Sequence, residues 1–262
     1  MRLTAVTSRT AALVVLSTLL SAPTAFGAEI SVLVSGAFTE AYLKLVPQFE
    51  STTGNKIVTG YGASMGGAPD SIPSRLQRGE PVDVVILAAG ALDELIGKGQ
   101  VLSDGRIDLV RSSIGMAVQA GTPHPDISSV DALKRTLLRA RSIAYSGSAS
   151  GVYFSTELFP ALGISDQIKG KSKRIDSEPV GAVVARGDAE LGFQQISELL
   201  PVPGIDYVGP LPPEVQRVTV FSAAVARNSR EPAAARALIK FLASPSAAPV
   251  IVKTGLVPVG TH

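Results

Sequence analysis

Apolar positions recur along the chain with two alternating periods. "EISVLVSGAF" begins as a run rich in Ile and Val, which predicts a strand. "TEAYLKLVPQFESTTG" follows with Tyr42, Leu45, Val46 and Phe49 on one face of a helix. Gly54 suits the end of that helix, because glycine enters the left-handed conformation without a steric penalty. "KIVTGYG" predicts a second strand and "PDSIPSRLQRGEP" a short helix capped by Asp70 or Ser71. "VDVVILA" is apolar without alternation, as a strand covered on both faces requires. The order β-α-β-α-β predicts a doubly wound α/β unit.

The same alternation resumes further on. "SIGMAVQAG" reads as a strand, "SVDALKRTLLRA" as a helix with Ser129 as its cap, and "SIAYSG" as a strand. "SGVYFSTELFPALG" is a helix stopped at Gly163, "PVGAVVARGD" a helix and "AELGFQQ" a strand. "RVTVFSAAVAR" is a long strand, and "PAAARALIKFLASPSAAPVIVKTG" supplies closing helices. No short fixed period repeats, which argues against a solenoid.

The N-terminus changes the charge picture. Residues 1–27 carry Arg2 and Arg9, an apolar run from Ala11 to Leu20 and then small residues, the three-part pattern of a secretory signal peptide. The run is too short for an ordinary transmembrane helix of about 20 residues. Cleavage is expected between Pro23 and Glu29, which sends the mature chain to the periplasm. The whole chain has 24 Lys+Arg and 22 Asp+Glu, so losing Arg2 and Arg9 leaves 22 of each. That balance gives no electrostatic warrant for a nucleic-acid or membrane-surface partner. Cysteine is absent, which excludes disulfides and thiolate chemistry. His124, in the proline-rich "GTPHPD", and the terminal His262 are the two histidines, a poor supply for a zinc site or a serine–histidine triad.

Three loops carry the candidate chemistry. "VSGAF", "YGASMGGAPD" and "SGSASGVY" each follow a predicted strand and open a predicted helix. In open α/β sheets ligands gather beyond the carboxyl ends of strands, where helix N-termini present unpaired N–H groups and partial positive charge. Glycine lets backbone approach a ligand, and serine adds a rotatable donor. One such loop is indistinguishable from an ordinary helix cap; three together point to a shared anion site. The candidates are Ser35, Gly36 and Ala37 in the first loop, Ser64 and Met65 in the second, and Ser148, Ser150, Gly151, Val152 and Tyr153 in the third.

Several side chains carry two readings. Arg75 has the donor fork for a carboxylate, or lies on a solvated helix face, and Arg78 reads the same way. Met65 and Phe38 form apolar walls or ordinary packing, and Tyr153 faces either a cleft or the core. Glu178, just before Pro179 and the next helix, is a candidate base, although acids at helix starts are commonplace. Gln194 and Gln195 alternate along a strand, so only one is expected to face a cleft.

"ISVLVSGAFTEAYLKLVPQFESTTGNKI", "RGEPVDVVILA", "SGVYFSTELFPALG", "VGAVVARGDAELGF" and "IKFLASPSAAPVIVKTGLVP" resemble, in this order, the molybdate-binding branch of extracytoplasmic solute receptors. The resemblance implies a type II periplasmic-binding-protein fold: two α/β lobes with a ligand in the cleft between them. It implies that lobe 1 comprises residues 28–88 and 216–262 and lobe 2 residues 89–215. It also favours Gln195 as the glutamine that contacts the ligand, and Pro179 is a further binding candidate.

The chain departs from the molybdate pattern where ligands are held. Ala37 stands where those receptors usually carry serine, and Gln195 where they carry tyrosine. The second loop is longer, and Ser148 and Ser150 add hydroxyls to the third. Loss of fixed donors loosens the fit of a compact dianion, which favours a larger organic anion. Within this fold group the chain is similar in layout and length to the periplasmic aconitate isomerases. That similarity implies an enzyme that shifts a double bond in a tricarboxylate; a monomer that needs no metal or cofactor is expected. The competing expectation is a receptor that delivers an oxyanion or organic acid to the membrane permease of an ABC transporter.

Overall fold

The computed structural model of the chain describes residues 27–260. The expected signal segment, apart from Gly27, and His262 lie outside them. In chain order the strands are β1 (Glu29–Val34), β2 (Lys56–Tyr61), β3 (Val84–Ala88), β4 (Ile107–Ser112), β5 (Ile114–Gln119), β6 (Ile143–Ser146), β7 (Ser172–Ile175), β8 (Leu191–Gln195), β9 (Ile205–Pro210), β10 (Thr219–Val225) and β11 (Val257–Pro258). The α-helices are α1 (Gly36–Thr53), α2 (Ile72–Gln77), α3 (Ala89–Gly97), α4 (Val130–Arg139), α5 (Ala149–Tyr153), α6 (Phe159–Ala161), α7 (Ser165–Ile168), α8 (Val180–Ala185), α9 (Ile196–Leu199), α10 (Pro232–Leu242) and α11 (Ala248–Val252). A π turn over Phe154–Leu158 joins α5 to α6.

Two mixed sheets build two lobes. The first has the order β11-β4-β10-β3-β1-β2 and the second β7-β6-β8-β5-β9. The parallel pairs β1·β2, β1·β3, β6·β7 and β6·β8 are those joined through helical crossovers. β10 runs antiparallel to β3 and β4, because it enters the first sheet from the other lobe.

The period-2 rule explains the unbroken apolar run of β3. Val84, Ile86 and Ala88 pack on one side with Val32, Val34 and the buried face of α1. Val85 and Leu87 pack on the other side with Leu33, Leu92 and Leu95. Both faces of the strand are therefore core. Tyr42, Leu45 and Phe49 are buried as the helical pattern predicts. Gly54 ends α1 at φ 74°, and the Ser71 and Ser129 hydroxyls accept N–H bonds at the starts of α2 and α4.

The lobe boundary differs from expectation. The chain does not cross after Ala88: α3 packs on the first sheet, and β4 then pairs with β10 inside it. The crossing falls between Ser112 and Ile114, and the return lies between Pro210 and Thr219. "RIDLVRS" escaped prediction as a strand because its charged residues break the apolar run. Both crossings are stapled by glutamine. Gln216 accepts from the Ile114 N–H at 2.9 Å and donates to the Ile114 carbonyl at 3.0 Å.

Candidate functional site

A cleft of about 200 Å³ lies between the lobes. That is below the ~300–1,000 Å³ of sites for drug-sized ligands, and suits a compact polar molecule. Its walls are the loops after β1, β2, β6 and β8, together with 175–179 ahead of α8. The starts of α1, α5, α8 and α9 therefore meet in one place, as strand ends and helix starts in α/β lobes dictate.

The serines are wired so that their protons remain free. Ser64 Oγ accepts the Ala88 N–H at 3.0 Å. Ser148 Oγ accepts the Ser64 N–H at 3.2 Å, and Ser146 Oγ accepts the Ser148 N–H at 3.0 Å. Each hydroxyl thus spends acceptor capacity on the backbone and keeps its O–H to donate, which is what an anion requires. Ser35 goes further: it precedes α1, is buried, makes no capping bond, and its Oγ has no partner. A buried polar group without a partner costs about 1–3 kcal/mol, a cost that an anionic oxygen accepting its proton would remove. Ser35→Ala is accordingly expected to weaken anion binding by about 1–3 kcal/mol while changing stability by less than about 0.5 kcal/mol. Ser64→Ala should lower both, because the Ala88 N–H then loses its acceptor. Calorimetric titration beside urea unfolding separates the two cases.

The lobes touch directly across the cleft. The Ser64 N–H reaches Ser148, and at the far side Ser197 Oγ donates to the Ala37 carbonyl at 2.7 Å.

Among the sequence-derived candidates, Ser35, Gly36, Ala37, Ser64, Ser148, Ser150, Glu178, Pro179 and Gln195 line the cleft. Five others stand elsewhere. Arg75 lies below the end of β2, where Nε binds Glu80 at 2.7 Å and Nη1 the Tyr61 carbonyl at 3.0 Å. Met65 packs against the cluster around Leu87 and Leu92. Gly151 packs under the end of β6, where a Cβ would lie 1.4 Å from the Ser146 carbonyl oxygen. Val152 is exposed. The Tyr153 hydroxyl donates to the Val215 carbonyl at 2.7 Å, and its ring stacks under the Arg217 guanidinium, tying α5 to the returning strand segment.

Both glutamines reach the cleft, against the alternation rule. Gln195 is the last residue of β8 and also the N-cap of α9, so strand periodicity ends there. In the orientation that satisfies both ends of its amide, the nitrogen donates to Ser112 Oγ at 2.8 Å and the oxygen accepts from Thr219 Oγ1 at 3.3 Å. It therefore also fastens the two crossings. Gln194 accepts the Val180 N–H at 3.0 Å and donates to Glu198 Oε1 at 2.9 Å.

Among the described residues, four acids line the cleft and no Lys, Arg or His does. Asp70 is exposed. Asp176 is exposed and held by Arg174 at 2.9 Å. Glu178, the base candidate from sequence, is exposed and clamped by Arg186 at 2.8 and 3.2 Å. The Arg186 guanidinium holds its carboxyl below the usual glutamate range, which makes it a weak base.

Glu198 differs from all three. Its partners are neutral: the Gln194 amide and the Gln195 N–H. Burial pushes its pKa up to about 7, against the smaller opposing effects of those two donors. Oε1 lies against the start of α1, where a Cβ on Gly36 would be 1.9 Å from it. The sequence holds one trace of this residue. Gln195 and Glu198 have the N-cap-to-N3 spacing of a capping box, and that local reading conceals the cleft.

The fold and cleft define a two-lobed binding protein of the periplasmic type. The family model for bacterial extracellular solute-binding proteins matches residues 30–257, and the chain belongs to that family. It is 50% identical over 230 residues to an aconitate isomerase from Pseudomonas sp., covering 88% of each chain. It is 27% identical over 239 residues to the molybdate-binding protein ModA of Azotobacter vinelandii, covering 87% of this chain and 89% of that one. Among solved structures, the sulfate-binding protein SubI of Mycobacterium tuberculosis superposes with a TM-score of 0.71 at 20% identity, over 89% of this chain and 88% of that one.

Proposed function

We propose that this protein is a periplasmic aconitate isomerase that interconverts trans- and cis-aconitate within the interlobe cleft. The observation that carries the reading is 50% identity to an aconitate isomerase over 88% of both chains. The cleft supports it. Hydroxyl donors and converging helix starts suit a ligand bearing several carboxylates, and the volume suits a small one.

The two isomers differ about one C=C bond beside a methylene. Removing a methylene proton spreads the electron pair over three carbons and into a carboxylate. Returning the proton at the other end moves the double bond, and the former double bond is free to rotate as a single one. Such a step needs a positioned base and donors aimed at the developing charge. Ser35, Ser64, Ser148 and Ser150 and the first turn of α1 are the donors in this proposal.

The family and the molybdate-binding relative favour a second reading, a receptor that hands an anion to a permease. One experiment separates them. Purified mature protein incubated with trans-aconitate, with and without EDTA, is expected to yield cis-aconitate in multiple turnovers by chromatography. Saturable binding of the acid, or of molybdate, with no product leaves the receptor.

A further inference from the structure

We propose that Glu198 is the catalytic residue that carries the proton between the two ends of the shifting double bond. This assignment rests on the isomerase reading. Of the four cleft acids it alone is shielded from full exposure and free of a cationic partner. A carboxylate clamped by arginine is a poor acceptor of a carbon-bound proton, because the neutral form it must reach is disfavoured. Glu198 has the opposite environment, and a pKa near 7 places both of its forms within reach near neutral pH.

Its position fits the chemistry. The bare Cα of Gly36 lets the carboxyl close on the start of α1, the 18-residue helix whose N-terminal partial charge faces the cleft. Base and charge-stabilising donors therefore flank the same space. The Gln194 amide fixes Oε1, and Glu198 is part of the cleft lining. The groups around it are sparse. β5, β8 and α8, which pack on α9, carry no ionisable side chain. On α1, Glu40 pairs with Lys44, Tyr42 with Thr59, and Glu50 with the Ile57 N–H.

The step balances without a co-reactant. The methylene C–H bond breaks and its proton passes to the Glu198 carboxylate. The electron pair forms a double bond from that carbon to the central carbon, and the former π pair moves onto the old vinyl carbon and its carboxylate. The protonated Glu198 then delivers its proton to that vinyl carbon, restoring the carboxylate. No electrons enter or leave.

A purely structural role, closing the capping box on Gln195, is open equally to Gln. Glu198→Gln therefore separates the two. With trans-aconitate, the variant is expected to lose at least ~100-fold in kcat, the lower end of what a positioned acid–base group contributes, with binding within about threefold by calorimetry. In D₂O the wild type should place deuterium on the product carbon and the variant should not. Wild-type kcat/KM should fall below pH of about 7, as the carboxylate takes up its proton. Glu198→Asp should retain that limb with reduced kcat. Gly36→Ala, which displaces the carboxyl without removing it, should also slow turnover. If the wild type turns over and Glu198→Gln keeps kcat within threefold, the assignment is overturned and the isomerase reading stands. A wild type that leaves trans-aconitate unchanged overturns both.

Discussion

Gly151→Ala is expected to destabilise the protein by about 3 kcal/mol or more. The new Cβ would lie 1.4 Å from the Ser146 carbonyl oxygen and 2.6 Å from its carbonyl carbon. These are backbone atoms at the end of β6, and a rotamer change cannot move them. Relief requires α5 to lift from the second sheet, taking with it Ser148 and Ser150 and the aromatic stack of Phe154 with Phe159 and Phe193. A lower urea midpoint is the direct measurement, and the cleft should fail with the fold. Gly67→Ala is the control: a Cβ there meets nothing within 4 Å, and the midpoint should hold within the ~0.5 kcal/mol typical of a surface change. Equal midpoints for the two variants would show that α5 is not seated on Ser146 as described.

The glycine and serine loops were legible because their chemistry is local. A strand end, a glycine, a hydroxyl and a helix start are consecutive in sequence; strand order in the first sheet brings Ser35 and Ser64 together, and the contact between the lobes brings Ser148 to them. Sequence leaves Arg75 with two readings because its destination depends on two distant facts. Gly60 has no side chain to block it, and Glu80 stands where the fork can be held. Glu178 read as a base because its clamp, Arg186, lies a helix away. Glu198 was missed for the converse reason. Its local spacing explains it fully as a cap, and only the tertiary approach of α9 to α1 gives it a second role. The late lobe crossing was illegible for a similar reason: β4 is made a strand by its pairing with β10, not by its own apolar pattern.

Asp83→Asn is expected to cost about 3 kcal/mol near pH 7, on the scale of hydrogen bonds to a charged group. Asp83 is 5% exposed and stands just ahead of β3. Its Oδ2 accepts the Ser31 N–H at 2.9 Å. Its Oδ1 accepts the Ser229 hydroxyl at 2.7 Å and the N–H groups of Arg230 and Glu231 at 2.8 and 3.0 Å. One carboxylate thus ties β1 to the segment that opens α10. An asparagine keeps the shape but turns an N–H donor toward one of these donors. Burial pushes the Asp83 pKa up, yet the Ser229 hydroxyl and the three backbone N–H groups outweigh it and hold the pKa below the ordinary aspartate value. The sign follows from that direction. A carboxyl with a depressed folded-state pKa contributes its full stabilisation above the unfolded value of about 4, and loses it as pH falls through the lower folded value. Wild-type stability should therefore decline more steeply than that of Asp83→Asn below pH of about 4. Other depressed carboxyls, including Glu80 and Asp126, are common to both proteins, so the difference between the two urea-unfolding curves isolates Asp83. The gap should be widest near neutrality and close in acid. A gap that is constant with pH would mean the loss is one of shape rather than charge, and a gap absent at pH 7 would remove Asp83 as the clasp between β1 and α10.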